Sequence, residues 1–335
     1  MRIPWTILGR TLNKTLSKTL GASVVLAAAI AGASAQAPYP DHPVHLVVPN
    51  PPGGVTDVLA RIIAQRLSEA WNQAVVVDNR PGGDETIAAD SVARAVPDGY
   101  TLLVSSNAPI IGAPHLHKDV RYDPFRDFTP VLPLAQVTPT VNVPSALPVH
   151  SIADLTALAK SKPGALNFGS FGNGTYAHLA MEDFKQRTGT NLVHIPYTGS
   201  SPAITALLRN EISVLIVNES TVDAHVKSGA VRIIAAAGAK RPMAFPDLPT
   251  VAETVPGFAT GSWWGMFGPA NLPRAVVDKI RGEMTAILRS PEARKLYETN
   301  TLETMDMAPD AFASFIRREY DQQGALIKMV GIVPD

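Results

Sequence analysis

The sequence predicts an α/β protein of about two domains with largely parallel sheets. Two observations lead to this class. The chain has 335 residues, 46% apolar and 17% charged, which is too long for one core and apolar enough to bury a large one. Short β-branched runs also alternate with amphipathic helical runs, the pattern of strands connected through helices. Proline is abundant, 29 residues, and implies many rigid turns between short elements.

Taken in order, the chain opens on an address. Arg2, Arg10, Lys14 and Lys18 precede the 14-residue apolar run Leu20–Ala33, and no acidic residue occurs before it. Such a run is too short for a stable span, which needs roughly 20 apolar residues. Ala33-Ser-Ala35 and Ala35-Gln-Ala37 then give small-x-small cleavage sites. Basic, apolar and small in that order is a secretory signal peptide over residues 1–35. The alternative is an uncleaved anchor. Cleavage leaves 25 basic against 29 acidic side chains, so the mature protein is exported, soluble and slightly acidic. Export from the cytoplasm argues against ATP or NAD chemistry, and no cofactor is expected.

Val44–Val48, Val75–Val77, Thr101–Ser105, Leu166–Gly169, Val193–Ile195, Val214–Val217 and Val231–Ala235 read as strands bounded by Gly, Pro, Asn or Asp. Val58, Leu59, Ile62, Ile63 and Leu67 repeat at helical spacing. Ile87–Ala95, Ile152–Lys162, His178–Arg187 and Pro202–Arg209 follow as helices, and Ser151 with Asp154 caps the second of these. Pro273, Pro291 and Pro309 sit near the first turns of C-terminal helices, where a missing N–H costs nothing. Residues 106–150 show little periodicity and end in Thr138-Pro-Thr-Val-Asn-Val-Pro144. With a second break around Phe258–Ser262, this predicts one lobe from residues 40–137 plus 262–335 and another from 142–258.

Candidate chemistry lies at helix entrances. Pro51-Pro-Gly-Gly-Val-Thr-Asp57 is either a carboxylate site built from first-turn amides or an ordinary strand-to-helix turn capped by Thr56 or Asp57. Asn79-Arg-Pro-Gly-Gly-Asp-Glu-Thr86 is a plain turn or borders the same crevice. Ser170-Phe-Gly-Asn-Gly-Thr-Tyr-Ala-His178 matches the dinucleotide pattern G-x-G-x-x-A, but no Asp or Glu between Asp183 and Glu211 could hold a ribose. An oxyanion loop of the Ser170 hydroxyl and glycine amides fits better. Pro196-Tyr-Thr-Gly-Ser-Ser201 opens a further helix. His178 either faces a ligand or packs beneath its helix, and Trp263-Trp264 forms core, lobe interface or a stacking platform.

Other classes are excluded or weak. No cysteine means no disulfide, thiol nucleophile or thiolate metal site, and a zero net charge leaves no nucleic-acid footprint. Serine- and zinc-hydrolase signatures are missing. His115 and His117, the only histidines close in sequence, lack nearby carboxylates, so no metal is expected. An exported hydrolase using Ser170 and His178 is a remote alternative, because no acidic residue stands at a spacing that would orient His178.

At these loops the chain resembles a known family. The residues that carry the likeness are Tyr39-Pro-x-x-Pro-Val44, Pro51-Pro-Gly-Gly-x-Thr-Asp57, Asn79-Arg-Pro-Gly82 and Pro97-Asp-Gly-Tyr-Thr-Leu102. They continue with Ser170-x-Gly-x-Gly-x-x-x-His-Leu179, Pro196-Tyr-x-Gly-Ser200 and Phe245-Pro-Asp-Leu-Pro-Thr-Val-Ala-Glu253. Together they resemble the extracytoplasmic solute receptors of tripartite tricarboxylate transporters, the Bug proteins. The resemblance implies a type II periplasmic binding protein fold: two α/β lobes joined by two crossing strands, with the ligand cleft between them. It implies a monomeric, non-enzymatic receptor for a small carboxylated solute such as an organic, amino or aromatic acid. The partner would be a two-component membrane permease or, alternatively, a sensor kinase that reads the closed form.

Carried over by position, the resemblance nominates Gly53, Gly54, Thr56 and Asp57 in the first lobe; Val55, Ser106 and, outside the motifs, Asn107 are added as candidates. In the second it nominates Ser170, Gly172, Gly174, His178, Tyr197, Gly199 and Ser200, with Asn173 and Asn218 added as candidates. Two departures bear on the ligand. Asp84, Glu85 and Thr86 stand where the family has small residues and then an Asn. Val217 replaces a frequent Asp before Asn218. If Asp84 and Glu85 face the cleft, a polyanion such as citrate is disfavoured and an amine-bearing or monocarboxylate ligand favoured. If they face solvent, they decide nothing.

Overall fold

A computed structural model describes residues 39–334. The expected signal peptide, with cleavage after Ala35 or Ala37, falls outside the described residues. From His42 onward the chain forms two sheets, each covered by helices.

The first sheet has the order β11-β4-β10-β3-β1-β2. Its strands are β1 (Val44–Val48), β2 (Val75–Asn79), β3 (Thr101–Ser106), β4 (Phe128–Val137), β10 (Ser262–Pro269) and β11 (Leu302–Glu303). The second has the order β7-β6-β8-β5-β9. It is built from β5 (Thr140–Pro144), β6 (Asn167–Ser170), β7 (Val193–Pro196), β8 (Val214–Val217) and β9 (Val231–Ala236). The chain thus leaves the first sheet between Val137 and Thr140 and returns to it at Ser262.

The expectation of largely parallel sheets is corrected. β1 is parallel to β2 and β3, and β6 to β7 and β8. However, β10 runs antiparallel to β3 and β4, and β5 antiparallel to β8 and β9. The reason is connectivity: β5 and β10 each enter from the other sheet rather than through a helical crossover, which is what makes neighbours parallel.

Helices stand where the periodicity predicts them at α1 (Val55–Trp71), α2 (Thr86–Ala93), α4 (Ile152–Ser161), α5 (Tyr176–Thr188) and α6 (Ser200–Leu208), whereas the short α3 (Ala113–Leu116) and α7 (Asp223–Lys227) were not foreseen. α8 (Arg274–Ile287), α9 (Pro291–Thr299) and α10 (Pro309–Val330) close the first sheet. Pro291 and Pro309 occupy the first helical turn, while Pro273 is the residue just before α8.

β4, β5, β10 and β11 were not foreseen. Pro130 and Pro133 argue against a strand, since proline cannot donate to a ladder. Both lie where the β4–β10 register shifts, so their missing N–H groups fall at irregularities in the pairing. In β10 successive side chains point to opposite faces. Trp263 joins the aromatic cluster of Phe267, Phe312 and Phe315. Trp264 points the other way and donates Nε1–H to Thr56 Oγ1 at 2.9 Å. Both are buried, so they are core rather than a stacking platform. The second lobe has its own core around Phe168, Phe184, Ile216 and Phe258.

Candidate functional site

At the carboxyl end of β1, Gly53 turns the chain at φ +97°. Its N–H donates to Asp57 Oδ2 at 2.9 Å, and Asp57 also accepts from Arg61 Nε at 3.0 Å and Asn79 Nδ2 at 2.9 Å. Burial pushes the Asp57 carboxyl up, but the bonds from Arg61, Gly53 and Asn79 outweigh it and hold it below the ordinary carboxylate range. The expected capping by Thr56 or Asp57 is therefore corrected. Gly54 is the N-cap of α1 without a side-chain bond. Asp57 reaches back to clamp the turn, and Thr56 is spent on Trp264. The Gly53 amide is occupied inside the protein. A methyl group added at Gly53 or Gly54 would meet nothing within 4 Å, so both face open space.

After β2, a 3₁₀ turn over Gly83–Glu85 leads into α2. Glu85 sits at φ +73°, a left-handed conformation unusual for a residue other than glycine. Its Oε1 accepts from Asn50 Nδ2 at 2.9 Å and its Oε2 from Ser106 Oγ at 2.8 Å, so the carboxylate bridges the ends of β1 and β3. Thr86 Oγ1 donates to the Gly83 carbonyl and closes the turn. The side chain of Asp84 lies outside the described residues. Asn107 accepts from Ser262 Oγ at 3.1 Å, which ties β3 to the start of β10.

In the second lobe, the loop after β6 uses its own donors. The Gly172 amide donates to Ser170 Oγ at 3.2 Å, and Ser170 Oγ lies 2.7 Å from His194 Nε2. The Gly174 amide donates to His178 Nδ1 at 3.1 Å. That bond requires a lone pair on Nδ1, so the neutral ring carries its proton on Nε2, 4.0 Å from Glu182. The rings of His178 and His194 stack at 3.9 Å. Burial pushes both imidazoles down, and the neighbouring His178 ring helps bring His194 to about 4. An acidic residue thus does stand beside His178, one helical turn on, contrary to expectation. The oxyanion loop is also revised, because the Ser170 hydroxyl and the Gly172 and Gly174 amides are committed to one another and to the histidines.

A cavity of about 830 Å³ lies between the lobes. Of the residues nominated from sequence, it brings together Glu85, Ser106 and Asn107 with Asn173 and Gly174. Gly53, Gly54, Val55, Thr56, Asp57, Thr86, Ser170, Gly172, His178, Tyr197, Gly199, Ser200 and Asn218 lie outside its lining. Glu85 therefore faces the cleft. Sequence reasoning missed Thr175 and Tyr176 at the start of α5, Ser262, and Glu319, Gln322 and Gln323 on α10, all of which line it. The polar residues of α10 carried the one signal that could have found them, since they break the apolar face of an otherwise amphipathic helix.

A second cavity of about 570 Å³ is lined by Asn173, His178, Glu182 and His194 with His117 and the C-terminal Val330–Val333. His115 belongs to neither cavity: Nε2 meets the Tyr320 carbonyl at 3.0 Å and the ring packs on α10. Among the described residues no group of three histidines, aspartates or glutamates is placed to hold a metal ion.

Two α/β lobes with paired crossings and a cavity between them, lined by apolar side chains with hydroxyl, amide and carboxamide groups among them, define a two-lobed solute-binding protein. The model of the tripartite tricarboxylate transporter family receptors, TctC, matches residues 59–332, and the chain belongs to this family. It is 32% identical over 295 residues to Protein BugT of Bordetella pertussis, covering 88% of this chain and 90% of that one. It is 34% identical over 291 residues to a protein of Pseudomonas sp. strain P51 encoded in the tcbD-tcbE intergenic region, covering 86% of each. Among solved structures, R. palustris Rpa4515 with adipate is 36% identical with a TM-score of 0.71, covering 89% of this chain and 100% of that one. MatC from Rhodopseudomonas palustris with bound malate is 26% identical with a TM-score of 0.67, covering 86% and 100%. The fold is the two-lobed periplasmic binding fold, and the family is one of solute-binding receptors.

Proposed function

We propose that this protein is a periplasmic receptor that captures a small carboxylated solute between its lobes and delivers it to a two-component membrane permease of the tripartite tricarboxylate type. The observation that carries this reading is the interlobe cavity of about 830 Å³, lined from both sides by hydroxyl, amide and carboxamide groups. The relatives solved with adipate and malate support it. Hydrogen bonds to a charged group contribute about 1.5–3 kcal/mol each, and a micromolar complex needs about −8 kcal/mol. A few such bonds plus apolar contact reach that value and still allow release.

The lobes are residues 40–137 plus 262–335 and residues 142–258, hinged where the chain crosses between the sheets. Closure about these crossings is how Gly54, Tyr197, Ser200 and Asn218, which lie outside the cavity lining, would come to meet the ligand. A hydrolytic role is not supported. Ser170 is fully buried, lines neither cavity, and already engages the Gly172 carbonyl.

Native mass spectrometry of freshly purified protein identifies any co-purified acid, and calorimetry with a panel of mono-, di- and tricarboxylates measures its affinity. Uptake of that acid should fail when either the receptor gene or the genes of its permease are deleted. Uptake that survives, with loss of a transcriptional response instead, would assign the receptor to a sensor kinase. Conversion of the acid to a new compound would overturn the receptor reading.

A further inference from the structure

We infer that His178 positions the second-lobe wall of the interlobe cavity: its unprotonated Nδ1 holds the Gly174 amide in place, and a second proton on the ring releases residues 173–175 and weakens ligand binding. This deepens the reading of the cavity as the ligand cleft and rests on it. Three features support the inference. The first is what the ring holds. His178 is buried and lies outside the lining of the cavity, so it acts through the loop rather than on the solute. Asn173, Gly174 and Thr175 do line it. Gly174 also meets the first lobe: at φ +78°, a Cβ there would lie 2.9 Å from Leu116 Cδ2. Its backbone is thus pressed against α3 across the gap, while its N–H is turned back onto His178 Nδ1 at 3.1 Å. The Thr175 hydroxyl, bound to the Gly172 carbonyl at 2.8 Å, ties the segment only to the start of its own loop.

The second feature is the kind of acceptor. His178 is the third residue of α5 and reaches back to the backbone before the helix, much as a glutamate does in a capping box. A carboxylate there would keep its charge down to about pH 4. A neutral imidazole has a single acceptor nitrogen. With Nε2–H already on the Glu182 side, 4.0 Å from Oε1, the next proton can go only to Nδ1. Two N–H groups would then face each other, and the imidazolium would sit at the positive end of the helix dipole. Both effects push Gly174 away. The surrounding groups set how readily this happens. Burial has the largest effect and favours the neutral ring; Glu182 favours the imidazolium, and Lys185, 2.8 Å from both Glu182 oxygens, opposes it. His194 stacks on the ring from β7 at 3.9 Å, and His117, just after α3, shares the second cavity with it.

The third feature is access. His178 and Glu182 line the second cavity, and Asn173 lines both cavities. The loop is therefore a partition with the solute on one side and the imidazole on the other, and a proton can reach the ring without passing the solute. Linkage makes the effect reciprocal: a solute that holds the loop in place also holds His178 neutral to lower pH.

The test reads the intact protein by NMR and amide hydrogen exchange, first without a solute. Imidazole nitrogen shifts should show Nε2–H on His178 at neutral pH. The amides of residues 173–175 should shift and lose protection with the same midpoint as that ring. His178→Asn, whose carboxamide oxygen can stand where Nδ1 does but does not titrate, should keep Gly174 protected throughout. His178→Phe, which keeps a stacked ring without an acceptor, should leave Gly174 unprotected at every pH. Should His178→Phe fail to fold, the wild type and His178→Asn carry the test. Calorimetry with adipate then compares these two from about pH 7.5 to the lowest pH at which circular dichroism is unchanged. Adipate itself takes up protons in this range, equally for both proteins, so the difference between them is the readout. Wild-type affinity should fall about tenfold further than that of the variant, and adipate should move the His178 midpoint to lower pH. A ring that stays neutral until the protein unfolds, amides that ignore its protonation, or equal losses of adipate affinity in both proteins overturns the inference and leaves the receptor standing. Should adipate not bind, the amides decide alone. Recovery of a co-purified solute with no carboxylate overturns the carboxylate reading and leaves the coupling to stand or fall on the amides.

Discussion

Asp57 does for the first loop what a helix cap does elsewhere, but from inside the helix. Its carboxylate collects Gly53 N–H, Arg61 Nε and Asn79 Nδ2, joining three parts of the chain. Asp57→Ala removes all three bonds and leaves the Asn79 amide short of a partner. It should lower stability by about 1.5–3 kcal/mol, measured by urea unfolding. The histidine pair gives a second prediction. His194 titrates near 4 in the folded protein against 6.5 when unfolded, and His178 is also depressed. The unfolded chain therefore binds more protons as the pH drops below 6.5, so acid favours unfolding until the pH reaches about 4. The melting temperature should fall between pH 7 and pH 4.5. His194→Gln should flatten that fall relative to wild type, whereas an equal slope in both would remove the pair as its source. Burial similarly depresses His115, and with His178 it keeps part of the slope in the variant. The Arg241-paired Glu253, held near 2, acts only at lower pH.

At the scale of elements, strand β10 shows what the sequence could and could not convey. Ser262–Pro269 contains two tryptophans, a methionine, a phenylalanine and two glycines, with none of the alternation that marks a half-exposed strand. It is buried on both faces, so alternation is not required of it. β4 was hidden for the opposite reason, because its prolines mimic a loop. The long helices were legible because each buries one stripe and exposes the other, whereas α7 buries no residue and left no such pattern. Gly265 in β10 is constrained by packing: a Cβ there would lie 2.9 Å from Phe312 Cζ and 3.0 Å from Phe267 Cε2. Gly265→Val should therefore cost about 1–3 kcal/mol by overpacking, read from denaturant midpoints. Trp264→Phe keeps most of the buried area and loses the bond to Thr56. It should cost about 0.5–1.5 kcal/mol, plus the price of the unpaired hydroxyl if Thr56 finds no water.

At the scale of the whole molecule, the two-lobe plan was legible from loop motifs in sequence order, four of which sit at the carboxyl ends of β1, β2, β6 and β7. The lining of the cavity was less legible. Motif loops such as Ser170–Gly174 turned out to be partly self-satisfied. Side chains of α10, far along the chain and unmarked by any motif, form part of the wall. Glu85 stood out only as a departure, and its orientation depended on Asn50 and Ser106, which no local pattern connects to it. If the lobes close on the ligand, addition of a saturating solute should reduce the radius of gyration in small-angle scattering. It should also slow proteolysis near Thr138–Pro139 and Thr260–Gly261. A bound solute that leaves both unchanged would show that the cleft is already shut without it.

The central position of β10 in the first sheet has a consequence for how the chain matures. β10 lies between β3 and β4, yet more than a hundred residues separate it from either. As the polypeptide emerges from its N-terminus, β1 to β4 are available long before the strand that fills the slot between them. The second lobe, made of one continuous segment, is complete first. Until the last quarter of the chain arrives, β3 and β4 present open edges with unpaired N–H and C=O groups, the kind of surface that invites wrong pairing. A nascent chain halted before residue 262 should therefore hold one finished lobe and one unfinished half-sheet dependent on a holdase.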